Sequence, residues 1–271
     1  MFYIMRKRFF VLLAAVFLAL PLVESCSIKE DRMPCPTYII VRSTEPLPAG
    51  STAVVTVRHE VYGLELQAAV PADQLYPDGY EVKTHRGVSA ISVLAGLRAM
   101  DIFSGVATIR DSRQSDSLYR FSGEVESWDE EGEFVREPLK EFTTLTVRVN
   151  NADVPSFFRV QGLWDRLDAE TFVPQKGNLS FAVSSDFRVG ERWSCRLSRQ
   201  GDESLYLKVF RESEPDREWR NIPLGRYMTL AGYDRDAVPM QDVTIDVDLT
   251  EGIVSVQIGD WEKVDFNIYI I

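Results

Sequence analysis

The segment VTIDVDLTEGIVSVQI, residues 243–258, decides the fold. Apolar and polar residues alternate from 243 to 249, and the alternation resumes from 254 to 258 after Thr250-Glu251-Gly252. A period of two puts one face of a strand on a core and the other face in water. A three-residue connection that contains glycine is typical of a hairpin. We therefore predict two half-buried antiparallel strands joined by a short turn.

The same alternation recurs along most of the chain, most clearly in LTVRV at residues 145–149. Similar short runs lie at residues 38–41, 54–58, 64–70, 119–125, 157–160, 205–210 and 266–271. Clusters of Gly, Pro, Asn and Asp separate them, and many short strands at such spacing are typical of β-sandwiches. Residues 88–100 fit a helix or a strand by their spacing, and we favour a strand.

The length of the chain suits two sandwiches of ordinary size better than one large one. No long stretch carries a clean helical stripe, and no internal repeat is visible in the sequence. The acidic, turn-rich stretch 129–141 is the expected seam, because strand alternation restarts at Phe142. We predict an all-β fold of two tandem antiparallel β-sandwich domains, an N-terminal one at residues 37–141 and a C-terminal one at residues 142–271.

A secretory signal peptide precedes these domains. Arg6-Lys7-Arg8 is followed by the apolar run FFVLLAAVFLAL at residues 9–20, and Ser25 stands directly before Cys26. This order of basic, apolar and small residues predicts cleavage after residue 25. The apolar run is too short to cross a bilayer, which takes about 20 residues.

A cysteine at the cleavage point is the arrangement of a bacterial lipoprotein. We expect Cys26 to carry the acyl chains and residues 26–36 to form an extended, lipidated tether. The alternative is a plain secreted protein that is cut elsewhere, in which Cys26 is an ordinary thiol. Lys29-Glu30-Asp31 resembles the tag that sends Bacteroidetes lipoproteins to the outer face of the outer membrane, although a solvated tether is charged in any case.

The charge of the chain argues against nucleic acid as a partner. Cleavage removes three basic residues and one acidic residue, which takes the formal net charge from −11 to −13. Such a surface repels phosphate backbones. It also repels anionic lipid, so the acyl chains must provide the membrane attachment.

The remaining cysteines, Cys35 and Cys195, leave two options open. Outside the cytoplasm they can form a disulfide. Alternatively both are unpaired, and Cys195 is a small buried residue. Neither these two residues nor the two histidines of the chain have the spacing of a metal site, so we expect no metal and no cofactor.

The sequence carries no recognisable catalytic constellation. His59 lies in a strand-like alternation and His85 in an expected turn, and no nucleophile elbow of the G-x-S-x-G type occurs. We interpret the acidic clusters at residues 129–131 and 212–216 as solvated loops. We therefore expect no enzymatic activity. Trp128 and Trp219, which are flanked by charges, are the best candidates for an exposed sugar platform, and they support the alternative of a carbohydrate-binding surface lipoprotein of a glycan-uptake system.

Several motifs together resemble the fimbrillin-associated anchor and minor-subunit lipoproteins of Bacteroidetes fimbriae. They include QSDSLY, LKEFTTL, LSRQGDESL, LGRY, AGYD and GDWE, and they lie at residues 26–32, 35–36, 114–119, 139–145, 197–205, 224–227, 231–234, 242–248 and 259–262. The resemblance implies two transthyretin-like β-sandwich domains and an acyl anchor. It also implies a role at a pilus base or as an accessory subunit, without catalysis.

The resemblance further implies how such a protein meets its partners. It implies that subunits join by adding a strand to the open sheet edge of a neighbour, where backbone hydrogen bonds provide affinity and side-chain pockets provide selectivity. The expected partners are therefore other fimbrial subunits and, through the acyl chains, the outer membrane. Residues 266–271 can either pair with a partner or close the second sandwich, and we favour closure.

Overall fold

The computed structural model of the protein describes residues 35–110, 113–151, 155–188 and 190–268, with the backbone alone for 178–188. The strands are β1 (Pro36–Ser43), β2 (Thr52–His59), β3 (Gly63–Pro71), β4 (Tyr80–His85), β5 (Gly87–Leu97), β6 (Asp101–Phe103), β7 (Val106–Thr108), β8 (Tyr119–Ser127), β9 (Glu131–Arg136), β10 (Leu139–Lys140), β11 (Thr143–Asn150), β12 (Ser156–Asp168), β13 (Pro174–Arg188), β14 (Arg192–Leu197), β15 (Tyr206–Arg211), β16 (Glu214–Ile222), β17 (Val243–Asp248), β18 (Ile253–Ile258) and β19 (Val264–Asn267). A 3₁₀ turn spans Ala72–Leu75, and helix α1 spans Leu224–Leu230.

The two halves of the chain repeat one strand topology. In the first half, β1 lies between antiparallel β4 and parallel β9, and the facing sheet has the order β10-β8-β5-β2-β3. In the second half, β11 lies between antiparallel β14 and parallel β17, and β12 in the facing sheet pairs with both β13 and β15, which in turn pairs with β16. The all-β sandwich prediction is confirmed, and each half adds one parallel pair that was not predicted.

The hairpin predicted at residues 243–258 is present as β17 and β18. Its register pairs Ile245 with Val256 and Val247 with Val254. These four side chains are fully buried in the second core, whereas Thr244 and Asp246 on the other face are partly exposed. The run at residues 88–100 is also a strand for most of its length, β5. Near the end of β5, the backbone of Gly96 lies close to the backbone of Ser117. A Cβ added to Gly96, whose φ is +98°, would lie 1.9 Å from the carbonyl oxygen of Ser117, so only glycine fits there.

A core lies between the two sheets of each half, and a third core joins the halves. The first is built on β1, β2 and β5 and the second on β11, β17 and β18. The third core contains Val54 and Leu94 from the outer face of the first half, together with Leu167, Ala169 and Phe172 from the second. Burying apolar side chains on both faces of a strand couples the two sandwiches through the hydrophobic effect.

A strand pair also crosses between the halves. β6 and β7 precede the last strands of the first sandwich, yet β7 pairs with β12 of the second, with Ala107 opposite Leu167. Residues Pro36–Ile271 accordingly form one compact unit. The domain limits 37–141 and 142–271 remain a prediction. The expected seam at 129–141 also holds a strand, because β9 buries Phe134 in the first core while its other residues stay at least partly exposed.

Helix α1 was not predicted. It begins after Pro223 and is seven residues long, and it buries Leu224, Tyr227 and Met228 in the second core. The spacing of these three residues is that of one helical face. A single amphipathic helix this short is marginal by itself and depends on packing for its stability. Among the described residues, no helix is long and apolar enough to cross a membrane.

A buried ion cluster lies where the two halves meet. Glu141, between β10 and β11, has no exposed surface. Its carboxylate accepts two hydrogen bonds from the Arg199 guanidinium, at 2.6 and 2.9 Å, and lies 3.0 Å from Nε of Arg120 on β8. Arg199 also donates to the backbone carbonyls of Arg235 and Ala237. One carboxylate thus ties β8, the segment after β14 and the segment after α1 to the link between the sandwiches.

The two arginines of this cluster respond differently to burial. Burial alone would lower the pKa of Arg199, but the hydrogen bonds and the charge of Glu141 outweigh it and raise that pKa. Burial lowers the pKa of Arg120, and the positive charge of Arg199 lowers it further. The negative charge of Glu141 raises this pKa but does not outweigh the other two effects. Both guanidiniums therefore depend on Glu141 to remain buried as cations.

We expect Glu141→Ala to destabilise the protein strongly, since it leaves two buried or half-buried guanidiniums without their counter-charge. The expected loss is about 3–5 kcal/mol, the usual cost of breaking a buried ion pair from one side. The matched control is Glu133→Ala, which removes the partner of Arg42 in an exposed pair and should cost at most about 1 kcal/mol. The midpoint of urea unfolding measures both. Equal midpoints for the two variants would show that the cluster does not hold the junction.

Candidate binding groove

A groove with a volume of about 810 Å³ opens at one side of the second sandwich. It is lined by residues of β16, α1 and β19 and of the turns beside them. Its size falls within the range of ligand pockets, roughly 300–1,000 Å³. Helix α1 contacts β15 of one sheet and β18 of the other, and its residues line the groove together with those of β16 and β19.

Aromatic and aliphatic side chains form the apolar part of the groove. The rings of Tyr227 and Phe266 lie 5.6 Å apart. Trp219 is flanked by the guanidiniums of Arg211, at 4.7 Å, and Arg220, at 4.9 Å, and such cation–π contacts hold an indole in place. Leu230, at the end of α1, is 59% exposed. The groove therefore combines a pre-formed apolar surface with charged side chains that also line it, among them Glu218, Arg226 and Asp265.

Two sheet edges border this groove. β19 pairs with β18, with Val264 opposite Val256, and has no second neighbour among the described residues. β16 is likewise the last strand of its sheet and pairs with β15 through two register shifts. An edge strand presents unpaired N–H and C=O groups to another chain. The arrangement can therefore accept an extended segment, with its backbone on an edge and its alternate side chains in the groove.

The C-terminal segment closes the second sandwich as far as it is described. The N–H of Ile268 donates to the carbonyl oxygen of Gly252 at 2.5 Å, and Phe266 and Ile268 pack on the second core. Residues 269–271 of the predicted run lie outside the described residues. The groove itself was not predicted. The spacing of Leu224, Tyr227 and Met228 after Pro223 was the signal that could have placed α1 there.

The predicted attachment residues Cys26, Lys29, Glu30 and Asp31 lie outside the described residues, so their roles remain predictions. The structure does describe Cys35 and Cys195, and it leaves both thiols free. Cys35 is exposed ahead of β1, whereas Cys195 on β14 packs into the second core. This arrangement favours the option in which both thiols are unpaired. Burial raises the pKa of the Cys195 thiol, which makes it a poor nucleophile.

We expect one reactive thiol in the folded, acylated protein. Ellman's reagent should titrate Cys35 at once and Cys195 only after denaturant is added, because the reagent reacts with an accessible thiolate. Cys35→Ser should abolish the fast reaction and leave the slow one. If no thiol reacts until a reductant is supplied, the two cysteines are bonded to each other.

The two histidines lie together but serve the local structure. Nδ1 of His59 accepts the N–H groups of Val61 and Tyr62, at 3.1 and 3.3 Å. Nε2 then carries the proton and donates to the carbonyl oxygen of Arg86 at 3.1 Å. Both nitrogens of this buried ring are thus used to hold a turn. No group of three metal-binding side chains occurs in the described part of the chain.

The carboxylate of Glu65 holds the other histidine. It accepts a hydrogen bond from the hydroxyl of Thr84, another from the backbone N–H of His85, and pairs with Nδ1 of the His85 ring. Burial would raise the pKa of Glu65, but these hydrogen bonds outweigh it and lower that pKa. Glu65 therefore holds the His85 ring and its backbone in a structural hydrogen-bond network.

The structure separates the two tryptophans singled out as a sugar platform. Trp219 lines the groove of the second sandwich. Trp128 follows β8 in the first sandwich, is not among the groove residues, and donates its indole N–H to Glu126. A glycan site that used both rings is thus not formed at the groove.

No protein-family model matches the chain, and no curated protein matches its sequence. Solved structures do share its fold. The fimbrial anchor protein Mfa2 from Porphyromonas gingivalis has a TM-score of 0.60 at 12% identity, over 84% of this chain and 98% of that chain. A candidate adhesin from Bacteroides thetaiotaomicron has a TM-score of 0.59 at 15% identity, over 88% and 100%. A candidate polysaccharide-binding protein from the same species has a TM-score of 0.56 at 9% identity, over 86% and 98%.

At these identities the likeness shows the fold. The resemblance carried by the sequence motifs is therefore confirmed in its fold: the chain has the all-β architecture of a solved fimbrial anchor and of candidate adhesins.

Proposed function

We propose that this protein is a lipid-anchored, cell-surface fimbrial subunit of the outer membrane, either the base anchor or an accessory subunit. The observation that carries the proposal is the fold shared with the anchor Mfa2 over 84% of this chain. The lipoprotein pattern at Cys26 supports it independently, because an anchor needs a membrane attachment. Lys29-Glu30-Asp31 would direct the lipidated protein to the outer face.

The attachment rests on one thiol. After cleavage behind Ser25, Cys26 would carry a diacylglycerol and a further acyl chain on its amino group. Each buried methylene contributes about 0.8 kcal/mol, so two or three chains hold a protein firmly in a bilayer. Acyl chains are needed for this attachment, because the net negative charge of the mature chain repels anionic lipid.

Cys26→Ser should release the protein from membranes and leave its signal peptide unprocessed or differently cut. Membrane fractionation and the mass of the mature N-terminus measure the two effects. Cys35→Ser is the matched control and should remain acylated and membrane-bound. Full processing and membrane retention of Cys26→Ser would refute the anchor.

The second half of the proposal concerns the partner. An extended segment of another fimbrial subunit would add to β19 or β16, and its alternate side chains would contact Trp219, Tyr227 and Phe266 in the groove. Backbone pairing provides affinity with little dependence on sequence, while the groove selects the side chains. Strand addition would also cover an edge that is otherwise open to unspecific pairing.

Leu230→Glu should weaken capture of the partner, because it places a charge among the apolar side chains of the groove at a site that is already exposed. We expect at least about a tenfold loss, or ~1.4 kcal/mol. Val173→Glu is the control, since Val173 is similarly exposed and lies outside the groove. Mild crosslinking and co-purification from outer membranes measure the yield of fimbrial subunits. Equal yields for both variants would exclude the groove, and no fimbrial subunit with the unaltered protein would exclude the function.

We assign the protein no catalytic role, and the described histidines support this, since both ring nitrogens of the buried His59 hold a turn and Nδ1 of His85 is held by Glu65. A second candidate function has its own support. The candidate polysaccharide-binding protein shares the fold over 86% of this chain, and Trp219 lies in the groove between two arginines. Glycan titration separates the two: binding that Trp219→Ala abolishes would favour the carbohydrate-binding surface lipoprotein over the fimbrial subunit.

A further inference from the structure

The start of β1 and three turns share one end of the first sandwich. Pro36, the first residue of β1, pairs with His85 at the end of β4. Gly87, just beyond the β4–β5 turn, pairs with Ser127 at the end of β8, and the Ser127 hydroxyl hydrogen-bonds Thr37 at 2.8 Å. The β2–β3 turn joins them through the N–H of Glu60, which donates to the Val88 carbonyl oxygen at 3.0 Å. The chain therefore enters its fold at this end.

Three apolar side chains are exposed there. Val61 and Tyr62 form the tip of the β2–β3 turn and are 60% and 46% exposed, and Trp128 in the β8–β9 turn is 49% exposed. We call these three residues the tether-end patch. Tyrosine and tryptophan combine an apolar ring with a polar group, and both are enriched where a protein meets the headgroup layer of a membrane.

The patch is held in place by the structure beneath it. The ring of Tyr62 lies 4.2 Å from the ring of His85 and 5.0 Å from that of His59. His59 accepts the N–H groups of Val61 and Tyr62, as described above, and so fixes the turn itself. A surface that is already ordered loses little conformational entropy when it docks.

The length of the preceding chain decides what this end can reach. Residues 27–35 lie between the acylated Cys26 and Pro36, and the ten residue steps from Cys26 to Pro36 span at most ~35 Å when fully extended. A flexible chain of that length has an r.m.s. span of roughly 18 Å. The lipid therefore keeps this end beside the bilayer at an effective concentration on the order of millimolar, at which a weak contact suffices.

We propose that the tether-end patch rests on the bilayer that holds the acyl chains, with Trp128, Tyr62 and Val61 in the headgroup layer. This inference rests on the proposed lipid anchor at Cys26 and adds a second, non-covalent contact that orients the protein. Charge does not drive the contact, because Glu60, Asp129 and Glu130 are exposed beside the patch and repel an anionic surface. The docking must therefore survive high salt, at which the Debye length is about 3 Å.

The test uses the acylated protein in vesicles of phosphatidylethanolamine and phosphatidylcholine, part of which carries brominated acyl chains that quench nearby tryptophans. The wild-type protein should show quenching that persists in about 1 M salt. Trp128→Phe should reduce this quenching at least several-fold. Trp261→Phe is the matched control, because Trp261 is similarly exposed but lies in the second half of the chain, and it should leave the quenching unchanged.

Val61→Glu provides the second arm, since it leaves Trp128 in place and puts a charge into the contact. It should also remove most of the quenching, while the circular dichroism spectrum and membrane retention stay unchanged. Quenching that is absent in the wild type, or equal in wild type and Trp128→Phe, overturns the docking while the anchor stands. Loss of all membrane association from the wild type, or association that Cys26→Ser does not abolish, overturns the lipid anchor and the docking with it.

Discussion

The arrangement of the two sandwiches depends on the ion pairs of the buried carboxylate of Glu141. This carboxylate neutralises Arg199 and Arg120, which come from opposite halves of the chain. The backbone N–H of Glu141 also donates to the carbonyl oxygen of Leu118 at 2.9 Å. A buried charge cluster of this kind adds little net stability over an apolar equivalent, but its geometry admits few alternatives. We infer that it specifies how the halves are joined, while the third core provides the attraction between them.

This junction also explains why scattered motifs carry the resemblance to fimbrial lipoproteins. Glu141 belongs to LKEFTTL, Arg199 to LSRQGDESL, Leu118 to QSDSLY and Tyr233 to AGYD, and the Tyr233 hydroxyl hydrogen-bonds Thr143 at 2.6 Å. Segments that lie far apart in the sequence thus meet at one place. Residues that specify a junction are constrained by several partners at once, whereas residues on a solvated face are not. The motifs therefore indicate how the two halves are joined, and they do not indicate which ligand the protein binds.

The sequence predicted the strands well and their connections poorly, for physical reasons. Period-two alternation marks any half-buried strand, so the hairpin at 243–258 could be read directly, and so could β11. Alternation carries no information on strand direction, which is why the parallel pairs β1–β9 and β11–β17 were missed. Strand β9 was predicted to be part of a seam because Phe134 is its only buried residue, so the strand shows no alternation of apolar and polar residues. Apolar residues on both faces of β2 and β5, such as Val54 and Leu94, indicate that the second half covers the outer face of the first sandwich. The crossing of β7 to β12 could not be predicted from them, because a continuous apolar run fits any strand that is buried on both faces and also a buried helix.

The groove was harder to predict than the fold because it depends on a departure from the repeat. In the first half, β8 is connected to β9 by residues 128–130, and in the second half the equivalent connection from β16 to β17 spans residues 223–242 and contains α1. The repeat is visible in topology alone, so the sequence does not reveal which connection was extended. Both candidate surfaces are built on this connection: the short form carries Trp128 and the long form carries Tyr227 and Leu230. The shared sheet, the third core and the Glu141 cluster join the two halves into one compact unit. We therefore expect a contact that orients the first sandwich to set also the direction in which the groove of the second is presented.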